Sequence, residues 1–321
     1  MSVFDRYTNT EQGRAFADKF LGKQPKERVN CILCSSPKRK LWYRMGDFTS
    51  WVCLRCGCRY VSPRYDDAQL DSHYSQALFT QSRDYEGLQH NMLDQAERKR
   101  KRFDMKEEIS ETIKRCPAGG RVLDIGCQTG IYLEALPATF KKFGVERSQW
   151  AAEYTKKITK AEINSGKVED IEYPLEFFDV INASYVIEHL QDPLRTLNII
   201  AGWLKKGGVF IISVPNFNSL CARLFREFYR LAEPRQHIFL TTPSSLKRVL
   251  EQLEMKVEKI YYPYFGTPYC KFSEQVRLVT NALRRFSLAL LLRMNKAPQI
   301  KDLISPAFYG NIMTVVARKR S

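Results

Sequence analysis

Apolar and polar positions alternate along this chain with a period that changes from one region to the next. In KLWYRM (40–45) and SWVCLRC (50–56) the period is two, which predicts the paired strands of a small ribbon. VSPRYDDAQLDSHYSQALF then reads as a proline turn and a short helix ending in aromatics, and a long polar helix follows over roughly 88–115. Phe103, Met105, Ile109 and Ile113 give that helix one side that docks on the next domain, and Pro117, Gly119 and Gly120 mark the boundary. From Arg121 the pattern becomes strand, helix, strand, helix, in RVLDIGC, IYLEALPATF, KKFGVERS and WAAEYTKKITK. Such alternation predicts a parallel sheet that binds ligands at the carboxyl ends of its strands. Two later stretches, FNSLCARLFREFYRLAEPRQ and 265–307, are amphipathic with a basic side.

The strongest apolar patch, Leu288–Leu292, falls far short of the ~20 residues that cross a bilayer, and the N-terminus lacks the basic start and apolar centre of a signal peptide. The expected location is therefore cytoplasmic, with the inner membrane face as a peripheral option. In a reducing compartment nine cysteines point to metal or catalysis rather than to a disulfide framework. Four of them, Cys31, Cys34, Cys53 and Cys56, follow C-x2-C-x18-C-x2-C. Two knuckle turns of this kind aim four sulfurs at one tetrahedral Zn²⁺ with no open position, so the expected site is structural, in a ribbon too small to fold without metal. Cys58 is left over beside the second knuckle.

The loop Asp124-Ile125-Gly126-Cys127-Gln128-Thr129-Gly130 chooses between ligand classes. A dinucleotide loop wants glycine where Gln128 stands, and no Lys-Ser/Thr pair follows the second glycine as a triphosphate loop requires. The segment instead resembles the class I S-adenosylmethionine-dependent methyltransferases over Arg121 to Arg318. In that family an acid precedes the glycine loop, and a second acid, here Glu146 at the end of GVE, meets the two ribose hydroxyls. The resemblance extends through GKVEDIEYPLEFFDVINASYVIEHLQDP, LNIIAGWLKKGGVFIISVPN, TPSSLKRVLEQLEMKVEKIYY and FYGNIMTVVARK. It implies an α/β fold whose Rossmann-like sheet has seven strands, six parallel and one antiparallel, carrying an N-terminal Cys₄ zinc ribbon and helical insertions. It also implies S-adenosylmethionine held by Asp124, Gly126, Cys127, Gln128, Gly130, Glu146, Arg147, Val168, Glu169 and Ala183. Gln128 departs from the family, many of whose members carry glycine there. The arrangement resembles bacterial zinc-ribbon methyltransferases of sugar and secondary-metabolite pathways. The expected organisation is an arm over 1–26, the ribbon over 27–64, a helical linker over 65–116 and the methyltransferase domain over 117–321, with insertions at 217–235 and 265–307.

Catalytic candidates follow the fourth strand of the domain. Tyr185 and His189 are expected at i and i+4 on one helical face, with His189 either a general base or a structural group lining the site, and His237 is a second candidate base. His73 and His90 fall in the linker and are not candidates. Some ubiquinone-pathway O-methyltransferases resemble this segment but carry an acid at the Tyr185 position for a divalent metal, so the departure argues against a catalytic metal here. A net charge of +16 favours acidic partners. The reading taken forward is methyl transfer to a small-molecule, anionic acceptor, with the insertions as a lid, a homodimer contact or, through 273–295, a peripheral membrane foothold. The alternatives are an RNA methyltransferase gripping phosphates through the ribbon and the RKRKR run at Arg98–Arg102, and a non-catalytic zinc-ribbon interaction protein.

Overall fold

The computed structural model describes residues 3–11, 24–70, 95–267 and 269–320. The linker histidines His73 and His90, the aromatic-ended segment beyond residue 70 and the start of the long polar helix lie outside those residues. The chain divides into two compact units: one takes residues 1–73, 215–245 and 264–312, the other 74–214, 246–263 and 313–321.

The first unit is built on a four-stranded sheet in the order β1 (Arg39–Met45), β2 (Phe48–Cys53), β3 (Arg59–Val61), β9 (Phe239–Leu240). β1 and β2 pair antiparallel across the tight Gly46 turn, and β3 continues the meander. β9 arrives from far along the chain, pairing Leu240 with Arg59 and Phe239 with Tyr60. The sheet's buried Tyr43, Met45, Phe48 and Tyr60 share the unit's core with Phe217, Phe225, Phe228 and Phe239. Trp42 meets Phe217 edge-on at 6.0 Å, and Phe217 meets Tyr229 at 5.4 Å. The expectation of a ribbon with only its own small core is thereby corrected, because aromatics from 217–240 are buried in the same unit. Helices α1 (Val3–Thr8), α7 (Leu220–Phe225) and α9 (Phe272–Arg293) complete this unit.

The second unit holds a seven-stranded sheet in the order β10, β11, β8, β7, β4, β5, β6, with β4 at Arg121–Ile125, β5 at Lys141–Glu146, β6 at Glu162–Ser165, β7 at Phe178–Ser184, β8 at Leu204–Pro215, β10 at Met255–Tyr261 and β11 at Ile312–Lys319. β4 pairs parallel with both β5 and β7, β7 parallel with β8, and β10 antiparallel with β11. The last strand is inserted between β8 and β10 and runs antiparallel to β10, the one reversed strand that the family resemblance implied. Strands covered on both faces read as unbroken apolar runs, here Val209 to Ile212 and Val315 to Ala317, all buried. Helix α4 (Ile131–Ala135) follows the turn after β4, and α8 (Pro243–Gln252) precedes β10. Helix α5 (Gln149–Thr159) opens on Ser148, whose hydroxyl accepts the Ala151 N–H, and α6 (Pro193–Trp203) opens on Asp192 with proline at its first position.

The long polar helix is two helices, α2 (Gln95–Asp104) and α3 (Lys106–Arg115), because Met105 leaves helical geometry at φ −100°, ψ 17°. Within the RKRKR run, Arg98 donates to the Thr129 carbonyl and to Glu134, and Arg102 also reaches Glu134. Arg98 and Arg102 are thus engaged by the protein itself.

Candidate cofactor loop and cysteine site

The turn after β4 is shaped by three residues with positive φ: Gly126 (69°), Gln128 (46°) and Gly130 (73°). At Gly126 a Cβ would come within 2.6 Å of the Val186 methyl, so the backbone passes where no side chain fits. Gln128 explains its own departure from the family pattern. It adopts the left-handed conformation that glycine takes freely, and its backbone is pinned on both sides. Its N–H donates to Glu146 Oε2 at 2.8 Å, and its carbonyl accepts the Thr155 hydroxyl at 2.6 Å, while the side chain is exposed. Cys127 is buried, with its sulfur where a Cβ on Gly144 of β5 would sit, which keeps Gly144 free of a side chain.

Glu146 closes β5 with its other oxygen accepting the Ser148 N–H at 2.9 Å. Burial raises its pKa against the backbone N–H donors of Ser148, Gln128 and Arg147. Asp124, inside the sheet, accepts from Asn182 Nδ2 at 2.7 Å, and Ser184 donates on to Asn182. Burial, with the Glu146 and Glu108 charges nearby, pushes Asp124 up to about 8. Glu108 of α3 is raised to about 7, also by burial, although Ser213 donates to it and neighbours Thr314 at 2.6 Å. Asn182, Ser213 and Glu108 were not legible as site residues, since α3 precedes the glycine loop and no motif links it to β7 or β8.

Val168 and Glu169 form a 3₁₀ turn, Val168–Asp170, beyond β6; Val168 is buried and Glu169 accepts the Thr196 hydroxyl from α6. Ala183 is buried at the end of β7, whereas Arg147 is exposed. The helical face expected for Tyr185 and His189 does not form. Tyr185 has φ 58° and its N–H donates to the Ser213 carbonyl, and only the short 3₁₀ turn Ile187–His189 follows. A left-handed residue at 185 cannot continue into a helix, so the i, i+4 relation has no structural meaning here. Within that turn Glu188 is buried with neither carboxylate oxygen hydrogen-bonded, and burial pushes it up to about 8. His189 belongs to the sheet-bearing unit and His237 to the other. The Nδ1 of His237 lies 2.7 Å from the Leu231 carbonyl, which can only accept, so Nδ1 carries the proton and Nε2 the lone pair. Burial holds His237 below the ordinary histidine value.

The sulfurs of Cys31, Cys34, Cys53 and Cys56 lie within 4.8 Å of one another. The two knuckles share one design: Ser35 follows Cys34 at φ 54° and Gly57 follows Cys56 at φ 73°, with the Ser35 N–H on the Cys31 carbonyl and the Gly57 N–H on the Cys53 carbonyl. Cys31 and Cys56 sulfurs are 3.4 Å apart and Cys34 and Cys53 sulfurs 3.6 Å. Those separations are far beyond a disulfide and near the about 3.8 Å between sulfurs of a tetrahedral ion with 2.3 Å bonds. Cys58 is buried within hydrogen-bonding reach of Cys31 and Cys56 and contacts the Arg59 carbonyl at 3.6 Å.

A seven-stranded sheet with its last strand inserted antiparallel, and a glycine loop facing an acid on the next strand, define the Rossmann-like methyltransferase fold. The chain belongs to the methyltransferase domain family, whose model matches residues 96–260, just over half of it. It is 34% identical over 115 residues to a ubiquinone biosynthesis O-methyltransferase of Bradyrhizobium diazoefficiens, an alignment covering 32% of this chain and 43% of that one. A ubiquinone biosynthesis O-methyltransferase of Thiobacillus denitrificans is 28% identical over 161 residues, covering 44% of this chain and 67% of the relative. Among solved structures, an S-adenosylmethionine-dependent methyltransferase from Archaeoglobus fulgidus superposes with a TM-score of 0.45 at 21% identity, covering 68% of this chain and 94% of that one. Among the described residues no helix is long and apolar enough to cross a membrane.

Proposed function

We propose that the protein transfers the methyl group of S-adenosylmethionine to a small-molecule acceptor, and that Cys31, Cys34, Cys53 and Cys56 hold a structural zinc ion. The observation that carries the first part is the pinned loop at Gly126–Gly130 bonded to Glu146, and family membership supports it. The loop fits the cofactor because the positive-φ turn at Gly126–Gly130 ends facing Glu146, a carboxylate of the kind that accepts from ribose hydroxyls. Asp124, Gly126, Cys127, Gln128 and Gly130 would shape that floor, Arg147 and Ala183 would border it, and Val168 and Glu169 would lie on the adenine side. S-adenosylmethionine supplies a methyl group already activated on a sulfonium, so the chain has to orient an acceptor and, for a hydroxyl, take its proton.

His189, Tyr185 and His237 remain the candidates for that work. A neutral His237 with its lone pair on Nε2 has the form a general base needs near pH 7. For the zinc, the repeated knuckle geometry and four converging sulfurs fit a closed Cys₄ centre. The names of the two curated relatives support a small acceptor over RNA. The engagement of Arg98 and Arg102 by Glu134 points the same way, since it reduces the charge open to phosphates. The deciding experiment is transfer of a labelled methyl group into fractionated cell extract with and without ribonuclease. Label in the small-molecule fraction, insensitive to ribonuclease, is expected; label confined to RNA would overturn the acceptor class.

A further inference from the structure

Helix α9 is fastened along one side. Asn281 donates to the Lys301 and Ile304 carbonyls at 3.1 and 2.9 Å, Leu288 is fully buried, and Arg285 reaches the Phe225 carbonyl and Glu227. Diametrically opposite stand Phe272, Val276, Val279, Leu283, Phe286, Leu290 and, just past the helix end, Met294, each between 45% and 78% exposed. At 100° per residue these positions fall within an arc of roughly 80°, forming one apolar ridge about 33 Å long. Scattered exposed apolar residues need no explanation, but seven in register on a helix whose other side is already packed form a contiguous patch of the kind that marks an interaction surface.

The charge around the ridge selects its occupant. The unit that contains α9 carries 24 of the chain's 51 Lys and Arg against 12 of its 35 Asp and Glu, so +12 of the net +16 falls on fewer than half of the residues. Lys271, Arg293 and Lys296 are exposed at the two ends of this helix, while Arg277 and Arg284, exposed along it, pair with Glu274 and Asp302, so the excess positive charge lies at the ends of the ridge. The positions bordering the ridge, Gln275, Thr280, Ala282, Ser287 and Arg293, include no acid with which a second copy's bases could fix a pairing register. Two surfaces of +12 also repel one another. An anionic bilayer surface answers both features: it takes the apolar ridge into the boundary between headgroups and acyl chains and attracts the surrounding bases.

We propose that α9 is a membrane-docking helix that lies in the plane of an anionic lipid surface, with its Phe272–Met294 ridge inserted. The proposal is independent of the identity of the methyl acceptor. It is tested by co-sedimenting the full-length, zinc-loaded protein with vesicles of phosphatidylcholine alone or of equal parts phosphatidylcholine and phosphatidylglycerol. Binding to the mixed vesicles is expected to be at least about tenfold stronger, to weaken with added salt, and to fall about tenfold or more in Leu283→Ser/Phe286→Ser. Because both positions are solvent-exposed, the circular dichroism and melting temperature of this variant should match the wild type. In case it does not fold, Phe286→Trp gives a second readout: added tryptophan emission that shifts to the blue with mixed vesicles supports insertion. Absence of sedimentation with the mixed vesicles, or an unshifted emission from the Phe286→Trp variant, would overturn the proposal. So would a wild type that is dimeric in ultracentrifugation beside a monomeric Leu283→Ser/Phe286→Ser, because the ridge would then belong to a second copy.

Discussion

The cysteine-bearing unit and the sheet-bearing unit reach order by different routes. In the first, four thiols from two knuckles 18 residues apart converge, and the surrounding sheet borrows β9 and its aromatics from a segment nearly two hundred residues downstream. In the second, parallel strands bury continuous apolar runs, and the glycine loop is held by backbone bonds to side chains on the next strand and helix. The charges differ as well, +12 against +4. The first unit is ordered through side-chain chemistry and the second through backbone geometry, and removing one kind of interaction at a time tests that difference.

The largest effect is expected from removing a thiolate. Cys34→Ser should lose bound zinc and lower the melting temperature by on the order of 10 °C, read by metal analysis and calorimetry, because breaking a closed metal site removes several kcal/mol. If the units are separable, S-adenosylhomocysteine should still bind this variant, and loss of that binding along with the zinc would break the comparison. Gly126→Ala comes next. The added Cβ meets Val186 at 2.6 Å on a backbone at φ 69°, so about 1–2 kcal/mol of stability and tenfold or more in cofactor affinity should be lost, measured by urea unfolding and titration calorimetry.

A smaller effect concerns pH. Asp124 and Glu108, raised to about 8 and about 7 chiefly by burial, bind protons in the folded state that the unfolded chain has released. The stability they contribute is full below the ordinary carboxylate range, declines as pH rises, and is exhausted once pH passes the folded values. Melting temperature followed from pH 5 to 9 should therefore fall less steeply in Glu108→Gln than in the wild type; identical slopes would remove Glu108 from the account. The smallest effect is expected at Gln128→Gly, where relief of the left-handed strain and the entropy of glycine nearly offset, leaving stability within about 1 kcal/mol and cofactor affinity unchanged.

Local signals were legible in the sequence because the physics behind them is local. The C-x2-C pairs announced the knuckles, the Asp124–Gly130 pattern followed by GVE announced β4, its turn and β5, and family resemblance implied seven strands with one reversed. What stayed hidden depends on contacts between distant segments or on a single dihedral angle. No alternation in FL (239–240) shows that it pairs with RY (59–60), and nothing in KEEISETIKR shows that Glu108 will be buried against Ser213. The positive φ at Tyr185 broke the expected helical face because that residue bonds to β8 immediately after leaving β7. Met105 interrupts the polar helix although its own propensity is helical, so tertiary packing rather than propensity sets the break.

The central claim is that the loop over Gly126–Gly130 and Glu146 forms the methyl-donor site. Titration calorimetry of the zinc-loaded protein with S-adenosylhomocysteine tests it directly. One-to-one binding by the wild type is expected, with at least a tenfold loss in Glu146→Ala, since the two backbone anchors go together with the proposed ribose contacts. No heat from the wild type, or equal affinity in Glu146→Ala, would contradict it.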